Sequence, residues 1–261
     1  LDKSRTVFLM YHELEVPGRL LSQTAPGYVR YVVSAENFRR QMHLIQSMGW
    51  RGVCVSEALQ YKPGCVAITF DDGAATDLLF AAPLLKELGF GATFFITVSF
   101  LGTAGYLTQN QLRELSGAGF EIGCHSMTHA YLTDLSDAEL TREIADAKRQ
   151  LEQTLDRRIE HFSCPGGRHN SRVSQIAGRA GYRTVSTSRQ QANDARSNPF
   201  ALGRVAVMRD TSETQFKNIC QGRGLWRRNL PVMLRDGARK LLGNSAYDRL
   251  REQLLRDGSP Q

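Results

Sequence analysis

No apolar run in this chain approaches the roughly 18–20 residues that a membrane-spanning helix needs. The start of the chain lacks the charged-then-apolar pattern of a secretory leader, and it begins at Leu1 rather than Met. The expectation is a cytoplasmic protein, with a processed, exported form left open. There is no CxxC pair. The five cysteines, Cys54, Cys65, Cys124, Cys164 and Cys220, are scattered and odd in number, which argues against a disulfide framework and for a reducing compartment. No GxGxxG and no P-loop follows any candidate strand, so a nucleotide role loses its usual support. Internal repeats and low-complexity segments are absent as well.

What is present is the composition of a globular protein. Hydrophobic residues make up 41% and charged residues 23% of 261 residues, enough for a sizeable core in one large α/β domain or two small ones. The net charge of +7 is uneven: residues 221–261 hold nine Arg and Lys against four Asp and Glu, which is +5 of the total. The basic character therefore belongs to a tail. Its apolar residues recur at helical spacing, which predicts an amphipathic helical tail (221–261) packed on or extending from a body (1–220). A basic amphipathic face also admits weak association with a membrane surface, whereas no nucleic-acid partner is expected.

Short β-rich runs alternate with amphipathic segments. Candidate strands are Val7–Tyr11, Gly52–Val55, Cys65–Phe70, Ala92–Val98, Phe120–Cys124, His161–Cys164, Arg183–Ser186 and Arg204–Val207. Helical patterns fall between them, and Gly49, Gly89, Gly119 and Gly181 supply the expected helix stops. This order implies parallel strands with right-handed crossovers. About eight strands suggest a barrel, incomplete or distorted, with an open doubly wound sheet as the rival.

The chemically loaded residues cluster at the ends of strands. His12 closes "FLMYH", Asp71 and Asp72 close "VAITFDD", His125 and His129 follow "FEIGC", and Pro165, Gly166 and Gly167 follow "HFSC". In a parallel barrel those ends share the face that carries active sites. His125 and His129 are four apart, which on a helical turn places both imidazoles on one side, within reach of one metal ion. Two His plus one carboxylate suit a catalytic Zn²⁺ or a related divalent ion. One aspartate would bind the ion and its neighbour would stay free to take a proton from water.

Taken together, "TFDDG" (Thr69–Gly73) and "HSMTH" (His125–His129) resemble the first two motifs of the polysaccharide deacetylases, carbohydrate esterase family 4. The resemblance runs from about Val7 to Phe216. It implies a distorted (β/α)₇-type barrel of parallel strands with the site at their C-terminal ends. It implies Asp71 as general base, Asp72, His125 and His129 as ligands of a divalent ion (Zn²⁺, or Co²⁺, Ni²⁺ or Fe²⁺), and Gly166 as the backbone N–H donor to the oxyanion. The reaction would release acetate from an N-acetylated amino sugar of a polysaccharide, oligosaccharide or glycoconjugate. The third motif departs from the family pattern: "SCPGG" (Ser163–Gly167) puts Ser163 where an arginine that pairs with the catalytic aspartate would stand. Arg168 is near enough in sequence to replace it, although an ordinary surface arginine is the preferred reading. The late motif with a catalytic-acid histidine is missing too, and "LMYH" (Leu9–His12) resembles a subgroup in which an early histidine, here His12, protonates the leaving amine. Two other readings stay open, removal of another small acyl group such as formyl from a small or lipid-linked amino sugar, and carbohydrate binding with degenerate catalysis. Tyr131 and Trp226 are candidates for packing on sugar rings.

Overall fold

The computed structural model describes residues 5–225; the expected tail, from Trp226 on, lies outside the described residues. Ten strands are present: β1 (Phe8–Tyr11), β2 (Leu14–Glu15), β3 (Val33–Ser34), β4 (Arg51–Val53), β5 (Cys65–Phe70), β6 (Thr93–Ile96), β7 (Glu121–Cys124), β8 (His161–Ser163), β9 (Thr184–Ser186) and β10 (Val205–Ala206). β2 and β3 pair only with each other. The other eight form one parallel sheet in the order β10-β1-β5-β6-β7-β8-β9, with β4 also on β5. A further parallel bridge joins Ser186 to Leu202, so the segment leading into β10 meets the far edge and the sheet curls back towards itself. This is the expected distorted barrel, and each of the eight candidate strands forms, shorter by a residue or more except for Cys65–Phe70.

Helices cover the outside, as parallel crossovers require. Ala35–Ser47 is capped by Ser34, which accepts from Asn37 N–H. Gln109–Gly117 and Asp137–Thr141 each start on a capping box, which satisfies two of the N–H groups a helix start leaves open. Two helices carry a wide π turn, at Asp77–Ala81 and at Arg142–Asp146. No helix among the described residues is long and apolar enough to cross a membrane.

Strand side chains alternate between two environments. Leu9, Tyr11, Val66, Ile68, Phe70, Phe94 and Ile96 point outward into the large core beneath the helices. Phe8, Ala67, Phe95 and Leu202 point inward and form a separate apolar layer inside the barrel. Gly123 faces the same interior: a Cβ there would come within 2.4 Å of the Phe95 ring, so glycine is what admits the aromatic. Below that layer lies a polar one. His161 hydrogen-bonds Ser56 and Thr184 (2.8 Å each), and Glu121 accepts from Thr93 Oγ1 (2.5 Å) and Val55 N–H (3.0 Å). Above it, at the C-terminal ends of the strands, the same alternation turns His12, Asp71, His125 and Ser163 inward.

Candidate active site and metal centre

The register of β1 on β5 pairs Tyr11 with Phe70, and Asp71 N–H donates to Tyr11 C=O (3.0 Å). His12 and Asp71 are thus neighbours across adjacent strand ends. After Asp71 the backbone turns sharply, with φ +79° at Asp72, a left-handed conformation that costs a non-glycine residue energy and recurs at functional sites. That turn separates two adjacent carboxylates into two environments.

Asp71 is almost fully buried and faces Arg204, which is completely buried. The guanidinium donates from Nη1 to Oδ1 and from Nη2 to Oδ2, both at 2.7 Å. Nη2 also donates to Ser163 Oγ (2.7 Å), and that hydroxyl donates to Asp71 Oδ1 (3.3 Å). Arg204 Nε and Nη1 are further held by Thr187 C=O and Thr69 Oγ1, both at 3.2 Å. Burial pushes the Asp71 pKa up, but the Arg204 charge, then His125 and the Arg204 hydrogen bonds, outweigh it and hold the carboxyl well below its usual range.

Asp72 has the opposite surroundings. Its Oδ1 is buried without a hydrogen-bond partner among the described residues, yet it lies 3.5 Å from Nε2 of both His125 and His129. These distances are long for hydrogen bonds. They match the separation of about 3.4 Å between ligand atoms that a tetrahedral ion imposes when each is bound at about 2.1 Å. The three ligand atoms all lie within 4.8 Å of one another, and this is the group of metal-binding type found among the described residues. His125 Nδ1 is 2.9 Å from Ser163 C=O. A carbonyl only accepts, so Nδ1 carries the proton and Nε2 presents a lone pair. Burial pushes the His125 pKa down to about 4 against the pull of Asp71 and Asp72, which keeps the ring neutral. The donor set therefore fits a divalent ion.

The structure corrects how the two histidines meet. Residues 125–129 form a loop, not a helical turn, with Ser126 at φ +71° and His129 at φ +65°. The His129 ring rests on Phe100, with centroids 5.9 Å apart. His12 Nδ1 is buried without a hydrogen-bond partner among the described residues, and its ring lies 5.0 Å from Tyr31. Burial lowers its pKa, partly opposed by Asp72 and Asp71. Gly166 adopts φ +58° in the turn after β8, beside Tyr131, whose ring carbon would be 3.4 Å from a Cβ at this position. At Gly167 a Cβ would strike Ser188 Oγ at 2.3 Å, so the second glycine of the pair is sterically required.

The sequence left the partner of Asp71 open and read Arg168 as a surface residue; the structure corrects the second point. Arg168 is buried, but its guanidinium lies over the Tyr131 ring (3.6 Å), and Arg204 is the residue that pairs with Asp71. Sequence reasoning took Arg204 as the first residue of a strand. The available signal was a lone charge opening an apolar run, "GRVAV". Asp77 was missed as well. It is fully buried with neither carboxylate oxygen partnered among the described residues. Burial, reinforced by Asp72, Glu13 and Asp71, pushes its pKa well up.

Residues 59–185 match the family model of the polysaccharide deacetylases. A Bacillus cereus peptidoglycan-N-acetylglucosamine deacetylase is 36% identical over 135 residues, 51% of this chain and 61% of that enzyme. The Bacillus subtilis protein YxkH is 28% identical over 215 residues, 80% of this chain and 73% of that protein. Among solved structures, the Streptococcus pyogenes deacetylase PplD in complex with acetate superposes with a TM-score of 0.74 at 23% identity, covering 84% of this chain and 99% of that one.

Proposed function

We propose, for a chain that belongs to the polysaccharide deacetylase family, the metal-dependent hydrolysis of the N-acetyl amide of an amino sugar in a polysaccharide or glycoconjugate. It is an enzyme of carbohydrate deacetylation. The observation that carries the finer reading is the pairing of two unlike aspartates: Asp72, whose buried Oδ1 has no hydrogen-bond partner among the described residues and lies between two imidazoles, and Asp71 held as an anion next to it.

Asp72, His125 and His129 would hold the ion. A divalent ion there supplies Lewis-acid polarisation and lowers the pKa of water towards about 7. Asp71 is the general base. Arg204 fixes both of its oxygens and keeps it ionised across the working pH range, so it is ready to take a proton without first losing one. His12, across from it, gives a proton to the departing amine; its lowered pKa makes that transfer downhill once the ring is charged. Gly166 offers its N–H to the oxyanion. A degenerate binding protein gains no support from the altered third motif, because Arg204 takes over the contact with Asp71.

The test is acetate release from a panel of N-acetylated sugars, oligomers and polymers, with matched N-formyl substrates, before and after chelation. Metal-dependent acetate release is the expected result. Formate release in preference to acetate selects the deformylase reading, and turnover that survives complete metal removal overturns the metal mechanism.

A further inference from the structure

The loop between the two histidines does not hold itself. Ser126 and His129 both have positive φ, and inside the loop His129 N–H donates to Ser126 Oγ (2.9 Å) while the His125 and His129 rings lie 5.1 Å apart. Backbone ties reach it from one side, where Val98 and Ser99 N–H donate to Ser126 and Met127 C=O (3.2 and 2.8 Å). From the other side it is gripped by one carboxylate, that of Glu143. Glu143 Oε2 accepts from Met127 N–H (3.0 Å) and Thr128 N–H (2.9 Å), and Oε1 accepts from Thr128 Oγ1 (2.6 Å). The Glu143 C=O accepts from Met127 N–H as well (3.1 Å). The carboxylate is buried, and it comes from the π turn Arg142–Asp146. A π turn inserts one extra residue into a helix and redirects the side chains around it, and such turns recur at functional sites.

Two consecutive N–H groups and a hydroxyl converging on one carboxylate form a site for an anion, here supplied by the protein itself. Met127 and Thr128 are two of the three residues that separate the two imidazoles in sequence, so what fixes them constrains the distance and angle between His125 and His129. We propose that Glu143 is the positioning residue that sets the geometry of the His125–His129 pair towards a divalent cation. This rests on the reading of Asp72, His125 and His129 as metal ligands. Glu143 is not one of the three residues that would hold the ion. It acts by keeping a strained loop in the one conformation in which both Nε2 atoms face Asp72 Oδ1, which lowers the cost of bringing three ligands together when the ion binds.

The experiment is titration of metal-stripped protein with Zn²⁺ against a competing chelator, paired with the visible absorption of the Co²⁺-loaded form. Wild type, Glu143→Gln and Glu143→Ala are compared, with thermal melts of the stripped proteins to establish that each is folded. Partners outside the ligand shell typically change metal affinity by about 10–100-fold. Glu143→Ala is expected to weaken Zn²⁺ binding by that amount and to alter the Co²⁺ spectrum. Glu143→Gln keeps the shape and one carbonyl acceptor but sets an amide NH₂ against a donor, and is expected to fall between Ala and wild type. Should Glu143→Ala fail to fold, the Gln variant carries the test alone. Affinity and Co²⁺ spectrum indistinguishable from wild type in a folded variant overturn the proposal. Wild-type protein that takes up no ion overturns the metal reading itself, a separate result from the same titration.

Discussion

Arg204 grips both carboxylate oxygens of Asp71 from 133 residues further along the chain, with two hydrogen bonds of 2.7 Å inside a fully buried site. The arginine expected at the end of β8 is thus replaced from the entry to β10, and Ser163, standing where that arginine would have been, makes room for the guanidinium and bonds to it.

This exchange predicts a rescue. Removing one member of a buried ion pair leaves the other uncompensated, at a cost of about 3–5 kcal/mol, so Arg204→Ser should be strongly destabilised and nearly inactive. Ser163→Arg alone should fare no better, since it forces a second buried cation against the first. The double variant should recover stability and turnover relative to either single variant. Chemical denaturation and acetate release on all four proteins check this; additive losses in the double variant would count against a shared role.

The two adjacent aspartates should separate in their effects. Asp71→Asn should retain bound metal and lose about 10²–10⁴ in kcat, the usual contribution of a general base. Asp72→Asn should lose metal together with activity. Metal content per chain, measured beside kcat, distinguishes them.

Asp77 gives a pH dependence of stability. Its folded pKa lies well above the unfolded value near 3.8, so the unfolded state ionises first as pH rises. Stability from this group is present below that value and is lost as pH climbs. Asp77→Asn removes the penalty. The variant should be more stable than wild type at neutral pH, and the gain should vanish below pH 3.8. Denaturant midpoints at several pH values test the sign.

Glu121 predicts the reverse, at the other end of the barrel. Burial raises its pKa, but the hydrogen bond and charge of His161, with bonds from Ser56 and Thr93, bring it down to about 2 from 4.5. Its contribution, roughly 3 kcal/mol, is present above pH 4.5 and lost as pH falls through about 2. Glu121→Gln should lower neutral-pH stability while leaving kcat unchanged, and the gap to wild type should close in acid.

The sequence by itself determined the strands, their parallel order and the inward-facing set at their ends. Alternation with a period of two and glycine at helix ends are local signals, and "TFDDG" and "HSMTH" are contiguous. It therefore placed His12, Asp71, Asp72, His125 and His129 on one face. The tertiary structure alone decided what surrounds them. Arg204 reaches Asp71 because the curled sheet brings β10 beside β1, and nothing within either segment encodes that meeting. The histidine loop is a loop rather than a helical turn because Glu143, 14 positions beyond His129 in the sequence, satisfies its N–H groups. The pKa of Asp77 is raised because packing buries it and brings other acids near. Hydrogen bonds and charges between distant segments are set by where the chain closes on itself, and a periodic pattern carries no record of that.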